Sequence, residues 1–460
     1  MNSNTRQTAF HVSRRSFLAA TAALVPLAIA SGSARKPNVI VILTDDQGSI
    51  DAPGFGATDL IMPNLDALGN RGVRFTQFYS AAPVCSPSRA GLLTGKYPLR
   101  AGMPNNAPDD ETPLPTFAEQ TTIADLFKRA GYATAHIGKW HLGMAPDCVP
   151  NARGFDYSFG HMNGCIDNYS HFFFWHGPNR HDLTRNGSEV HEDGAFFPDL
   201  MVKEATQFIE AHKDRPFFMY FAANAPHYPY QPDEKWLAKY ADVPYPRNLY
   251  AAFLSTLDER IGRLLACVDA CGLRGDTIIV YQSDNGHSME ERAHFGGGSA
   301  GAYRGAKFSL FEGGVRVPAI VSWPGHLPEA VTRSQVTHAC DWMPTLAALC
   351  GIEAPTDIDG CDLSQVIQSA EARSPHNVLH WYVGTGENAR WAVRKGDWKL
   401  LFKPQDTGLR DAPPIAGELF LVNLRDDICE QKNCAGAHPD VVRELVSLHD
   451  AWIKKAAPSD

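Results

Sequence analysis

The sequence predicts an α/β protein: a large, mostly parallel sheet flanked by helices, followed by a small C-terminal α+β domain with an antiparallel sheet. Three observations carry this reading. Apolar runs such as NVIVILT (38–44) show no polar alternation, as strands covered on both faces require. These runs alternate with helical segments up to about residue 370, the order that builds parallel sheets. Further on, RWAVRKGDWKLLF (390–402) alternates apolar and polar residues around a Lys-Gly-Asp turn, which reads as a hairpin.

The elements follow in order. At the N-terminus Arg14 and Arg15 precede a mild apolar run, 17–30, broken by Pro26 and rich in small residues. That run is short for a bilayer-spanning helix. It predicts a twin-arginine-type signal peptide over residues 1–34, hence a chain exported to the periplasm or beyond by the twin-arginine (Tat) machinery, with no stable membrane anchor. Residues 37–370 form the main domain. Its first strand is 38–44. TTIADLFKRAG (121–131) has helical spacing, a threonine cap and Gly131 as a stop. YATAHI (132–137), PFFMYFA (216–222) and DTIIVYQ (276–282) read as strands, and 249–272 as a long amphipathic helix closed by Gly272. EARSPHN (371–377) reads as a linker. In the small domain, 376–460, GELFLVNL (417–424) adds a strand and 439–456 a final helix.

With 460 residues, 44% of them hydrophobic, the chain builds a core that needs no staples. Ten cysteines are too few for a disulfide scaffold, and the pairs Cys267/Cys271 and Cys429/Cys434 match no zinc pattern. Residues 1–34 hold three arginines and no acid. The remainder carries 39 basic against 51 acidic residues, a net −12. Such a chain is a poor partner for nucleic acid or anionic membranes, and an anionic substrate would need locally concentrated positive charge.

In open α/β sheets, ligands bind beyond the carboxyl ends of the strands. Asp45 and Asp46 follow the first strand. Lys139 and His141 follow 132–137 in GKWHLG. His227 follows 216–222 in ANAPHYP, and Asp284 and Asn285 follow 276–282 in SDNG. Singly, each reads as a helix cap, a snorkelling lysine or a turn histidine. Gathered on one sheet edge, the four oxygen-bearing residues would suit a hard cation, Ca2+ or Mg2+, over zinc. Lys139 and His141, two apart, share one side of an extended segment. Lys307 lies in RGAKFSLFEGGVRVP, after a Gly-rich stretch (296–305) expected to be a flexible loop able to close over a site.

PVCSPSRAGLLTG (83–95) supplies the remaining group. Ser86 as cap, Pro87 at the first helical position and Gly95 as stop place Cys85 just outside a helix N-terminus. Arg89 then falls in the first turn, where the helix dipole disfavours a cation. The helix end and guanidinium together would form an anion site. A thiolate at Cys85 would be activated there. Yet a thiolate prefers soft metals, and its neighbours are hard; an oxygen at position 85 would fit better.

CSPSR, continued by AGLLTGKYPLR, resembles the C-x-P-x-R signature of the sulfatases. ILTDDQG, GKWHLG, RGFD, NAPHYP, SDNG and GAKFSLFEGGVRVP are similar to further blocks of that family, in its order, and ELFLVNLRDD resembles its C-terminal domain. The resemblance implies an alkaline-phosphatase-like fold and hydrolysis of sulfate esters. It implies that a maturation enzyme oxidises Cys85 to formylglycine, whose hydrated gem-diol attacks sulfur. Asp45, Asp46, Asp284, Asn285 and the modified Cys85 would hold one divalent cation, Ca2+ ahead of Mg2+. Arg89, Lys139 and Lys307 would hold the sulfate oxygens. His227 or Lys307 would protonate the leaving alcohol, and His141 would deprotonate the second hydroxyl to expel sulfate. Lys96 stands where the family more often has arginine. By the same resemblance the substrate would be a sulfated carbohydrate. Trp175, Asp167, Asn168 and His181, in the 156–200 insertion, read either as sugar contacts or as packing, and His287, after SDNG, is a candidate contact to which the family gives no role. Two alternatives stay open: a phosphonate or phosphate diester hydrolase of the same superfamily, and a non-catalytic sulfated-glycan binder with unmodified Cys85.

Overall fold

Ten strands form one sheet in the order Val331–Arg333, Val73–Phe75, Ala319–Ser322, Thr277–Ser283, Asn38–Thr44, Phe217–Ala222, Ala133–Lys139, Tyr157–His161, Thr184–Arg185, Ser188–Glu189. The computed structural model describes residues 35–175 and 177–456, so the predicted signal peptide lies outside the described residues. The five strands from Thr277–Ser283 to Tyr157–His161 run parallel. Ala319–Ser322 and Thr184–Arg185 pair antiparallel at the two flanks.

The uninterrupted apolar runs are explained by what covers the sheet. In Asn38–Thr44, Val39, Val41 and Leu43 join one core, while Ile40 and Ile42 join another. The first core takes in helices Cys85–Thr94, Ile123–Arg129 and Trp342–Leu349; the second takes in Pro63–Asn70, Phe197–His212 and Arg247–Ala270. Both faces of the strand are therefore dry, and neither tolerates a polar residue. The predicted helix punctuation is present. Thr122 forms a capping box with Asp125 at Ile123–Arg129, and Gly131 follows with φ 88°.

Four antiparallel strands form the C-terminal sheet, in the order Val378–Val383, Arg390–Lys395, Trp398–Phe402, Leu419–Asn423. Trp391, Val393, Leu400 and Leu421 face the helix Pro439–Ala456 through Leu445. Trp381, Ala392 and Leu401 pack instead on Tyr79, Phe311 and Val315 of the larger part. Trp381 Nε1 donates to Ser80 O at 2.9 Å, five residues before Cys85. The small sheet thus braces the segment that leads into the cysteine helix.

One local expectation is corrected. The helix spans Cys85–Thr94, so Cys85 is inside it, and the residue at its N-cap is Val84. Ser86 does not cap. Its hydroxyl accepts from Ala107 N at 3.0 Å, and its own N–H donates to Asn106 Oδ1 at 3.2 Å. A tertiary contact has claimed the side chain that local capping would have used. Gly95 ends the helix at φ 67°, as expected. Among the described residues, no helix is long and apolar enough to cross a membrane.

Candidate active site

Strand register builds the site. Thr44 pairs with Ser283, Leu43 with Ala222, and Ala222 with Gly138. The next residues, Asp45, Asp284 and Lys139, therefore emerge along one edge. Asp284 N donates to Thr44 O at 3.0 Å. Asp46 takes a left-handed backbone, φ 60°, which costs a non-glycine residue of order 1 kcal/mol. Asn285 Nδ2 donates to Asp46 Oδ1 at 2.7 Å.

Three carboxylates meet three cations in this buried layer. Lys139 Nζ donates to Asp45 Oδ2 at 2.6 Å. Arg89 grips Asp284 Oδ2 with Nε and Nη2, at 3.0 and 2.8 Å, and donates Nη1 to Lys139 O at 3.1 Å. Lys307 Nζ reaches Asp46 Oδ2 at 2.9 Å and Glu290 Oε2 at 3.2 Å. Burial pushes Asp46 up to about 7 and Asp284 up to about 6, against Lys307 and Arg89 respectively. Burial acts on Asp45 too, but the charges of Lys139, Arg89 and Lys307 outweigh it and hold that carboxyl well below its usual range.

Cys85 Sγ lies 3.5 Å from Asp45 Oδ1. Burial pushes its thiol up, although Lys139 and Lys307 pull the other way. Desolvation thus opposes the thiolate activation expected of the helix end.

The residues fit a hard cation. One donor atom each of Asp45, Asp46 and Cys85 lies within 4.8 Å of the others. Asn285 Oδ1 is buried beside them with no hydrogen-bond partner. A buried bare amide oxygen is costly unless something accepts its lone pairs, and oxygen donors select Ca2+ or Mg2+.

Above this layer opens a cavity of about 230 Å³, walled by Cys85, His141, His227, Lys307, Glu290 and Trp175 among others. Arg89 and Lys139 lie beneath it, engaged with carboxylates. Burial drives the pKa values of His141 and His227 far down and so favours their neutral imidazoles. Nδ1 of His141 has no partner. Gly164 packs close beside it: a Cβ there would sit 3.0 Å from His141 Cε1 and 3.1 Å from Nε2, so the ring would have to shift. His227 Nδ1 donates to Tyr228 O at 2.7 Å, which leaves Nε2 as the lone pair that accepts from Lys307 Nζ at 3.3 Å. Lys307 stays charged: burial opposes this, but Asp46 and Glu290 exceed it.

Of the insertion residues, Trp175 reaches the cavity, stacked on Tyr228 with ring centroids 6.2 Å apart. Asp167 instead ties a turn, accepting from Ser170 N at 2.8 Å and Gln231 Nε2 at 2.6 Å. Asn168 is buried between Asn224 and Gln231. His181 bonds Glu189 at 2.9 Å. His287 and the 296–305 stretch line a different cleft, and Ser299 N is tied to Asp51 Oδ2 at 2.7 Å. That stretch does not cover the candidate site. Lys96 forms a surface pair with Asp357 at 2.7 Å. Glu290 is a site residue that sequence reading missed; it sits in an aperiodic loop and carries no local signal.

The sulfatase family profile matches residues 37–352, and a profile for the C-terminal region of N-sulphoglucosamine sulphohydrolase matches 303–409. Arylsulfatase A of Homo sapiens is 33% identical, over 92% of this chain and 89% of its own length. An N-acetylgalactosamine-6-O-sulfatase of Bacteroides thetaiotaomicron is 31% identical, over 90% and 93%. The crystal structure of Ps i-CgsB superposes with a TM-score of 0.80 at 29% identity, covering 91% of this chain and 93% of that one. With the strand-end carboxylates and the C-x-P-x-R helix in place, the chain belongs to the sulfatase family and is a hydrolase of sulfate esters.

Proposed function

We propose that the protein removes sulfate from a sulfated carbohydrate, using a formylglycine made from Cys85 and one divalent cation, Ca2+ in preference to Mg2+. The observation that carries this is the position of Cys85. A thiol stands among hard oxygen donors at the floor of a cavity, where an oxygen would suit the donor set and a sulfur does not. The relatives support the substrate class: one is named for sulfated N-acetylgalactosamine, and Ps i-CgsB was also crystallised with a neocarrahexaose.

Asp45, Asp46, Asp284 and Asn285 would hold the cation beside residue 85. The cation supplies Lewis acidity, and the hydrated aldehyde supplies two hydroxyls, one to attack sulfur and one to lose its proton so that sulfate departs. Arg89 and Lys139 fix the carboxylates of Asp284 and Asp45 and keep positive potential beneath the sulfate. Lys307, charged and in the cavity wall, contacts a sulfate oxygen and protonates the leaving alcohol. His227 accepts from Lys307 and holds its ammonium in place. Neutral His141, with Nδ1 bare, takes the proton of the second hydroxyl. Counting Glu290, four carboxylates face three cations; a divalent ion makes the formal charge +1, matched to a sulfate monoester. The Trp175 face offers a sugar an apolar platform.

In this reading residues 1–34 are a twin-arginine signal, removed on export of the folded, already matured chain. Residues 37–370 act as the catalytic domain and 376–460 as its brace. A panel of sulfated mono- and oligosaccharides, assayed for released sulfate beside an aryl phosphonate diester, tests the proposal. Faster turnover of the phosphonate overturns it.

A further inference from the structure

A second polar cluster lies outside the catalytic machinery, in the insertion that carries Trp175. One donor atom each of His171, His181 and Asp193 lies within 4.8 Å of the others. They come from three segments. His171 precedes the strand Phe172–Phe173, His181 ends its partner Arg180–His181, and Asp193 lies on the chain leading to helix Phe197–His212.

Hydrogen bonding assigns the ring nitrogens. His171 is fully buried, and its Nε2 lies 3.0 Å from Ala195 O. A carbonyl only accepts, so Nε2 carries the proton and Nδ1 the lone pair. The His181 side chain is 6% exposed, and its Nδ1 lies 2.9 Å from Glu189 Oε1. A carboxylate likewise accepts, so Nε2 is left as the lone pair. Those two remaining atoms, His171 Nδ1 and His181 Nε2, are buried and have no partner.

Two buried imidazoles thus keep bare lone pairs beside a carboxylate, while their outer N–H groups are held by a carbonyl and a second carboxylate. Metal-ligating histidines are oriented in this way, and an unfilled pair of such atoms is costly. We infer that His171, His181 and Asp193 bind a divalent transition metal of the zinc type, with Glu189 orienting His181. The mixed nitrogen and oxygen donors distinguish it from the all-oxygen set proposed for Ca2+. The metal would pin the hairpin whose Phe173 and Trp175 wall the catalytic cavity.

The test uses the untagged full chain, stripped with chelator, given excess Ca2+ and then Zn2+ alone. Zinc is measured by elemental analysis after gel filtration, and affinity by competition with a zinc dye. Wild type and Cys85→Ala should each hold one equivalent. Asp193→Asn, an exposed position, should lose it, and Glu189→Gln should weaken it about 10–100-fold. Circular dichroism checks that each variant is folded; these two surface substitutions replace the buried histidine changes that could unfold the insertion. No stoichiometric zinc in wild type overturns the inference. So does wild-type binding by both Asp193→Asn and Glu189→Gln, or loss of zinc in Cys85→Ala.

Discussion

Two buried ionic clusters each take one residue from the 305–315 segment, Lys307 in the first and Glu312 in the second, and they differ in what they face. The first is the set of Asp45, Asp46, Asp284, Arg89, Lys139 and Lys307 under the catalytic cavity. The second joins the two sheets: Lys399 Nζ lies 2.8 Å from Glu312 Oε1 and 3.2 Å from Glu430 Oε1. Tyr79 OH donates to Glu312 Oε2 at 2.6 Å, and Arg316 approaches the same carboxylate at 3.3 Å. All three charges of Lys399, Glu312 and Glu430 are fully buried. Burial of charge therefore does not itself mark a catalytic centre. The first cluster stands at strand carboxyl ends and opens onto a cavity; left-handed backbone does not separate the two, since Asp46 (φ 60°) and Glu430 (φ 51°) both adopt it. The second is sealed between packed layers and works as a clasp.

The sharpest separation is by substitution at the two centres. Cys85→Ala should lower turnover of a sulfate ester by roughly 10^4–10^6-fold while the thermal midpoint stays near wild type. Lys399→Met should do the reverse. It leaves Glu312 and Glu430 buried without their cation, a loss of about 3–5 kcal/mol in denaturant unfolding, with kcat of the folded fraction close to wild type. A collapse of kcat in folded Lys399→Met would break the division between the two clusters.

Trp175→Ala has a smaller expected effect. Removing an aromatic platform should raise KM for a sulfated oligosaccharide by about fivefold, in line with about 1 kcal/mol of ring contact. A small aryl sulfate should be nearly unaffected, and equal losses for both substrates would contradict a sugar-facing role.

The smallest effect concerns pH. Burial pushes the Glu430 carboxyl up to about 7 from 4.5, with Glu312 adding and Lys399 opposing. Between those values the folded state keeps a proton that the unfolded chain has lost, so this group's contribution to stability falls as pH rises through the window. Glu430→Gln removes that titration. Wild type should lose stability relative to the variant between pH 4.5 and about 7, read from unfolding curves at several pH values. Parallel pH profiles would contradict the assignment.

Much of the site is legible in sequence because doubly covered strands are uninterrupted apolar runs. The polar residues that follow them, Asp45, Asp284 and His227, then lie near the ligand edge. The partners of those residues are not legible in this way. Arg89 on Asp284 and Lys139 on Asp45 depend on register between distant strands. Trp175 and Glu290 reach the cavity from loops without periodicity. The Ser86 cap failed because residues 106–107, twenty positions on, took its hydrogen bonds. The same cause hides the histidine cluster: His171, His181 and Asp193 have no metal spacing in sequence, and the hairpin turn brings them together.

The account rests on an oxygen replacing the sulfur of Cys85. The direct measurement is the mass of the peptide carrying Cys85 in preparations made with graded amounts of a maturation enzyme, beside the rate of sulfate release from each. The account predicts a peptide lighter by about 18 Da, and activity proportional to its fraction. Full activity in a preparation whose Cys85 remains an intact thiol would contradict it.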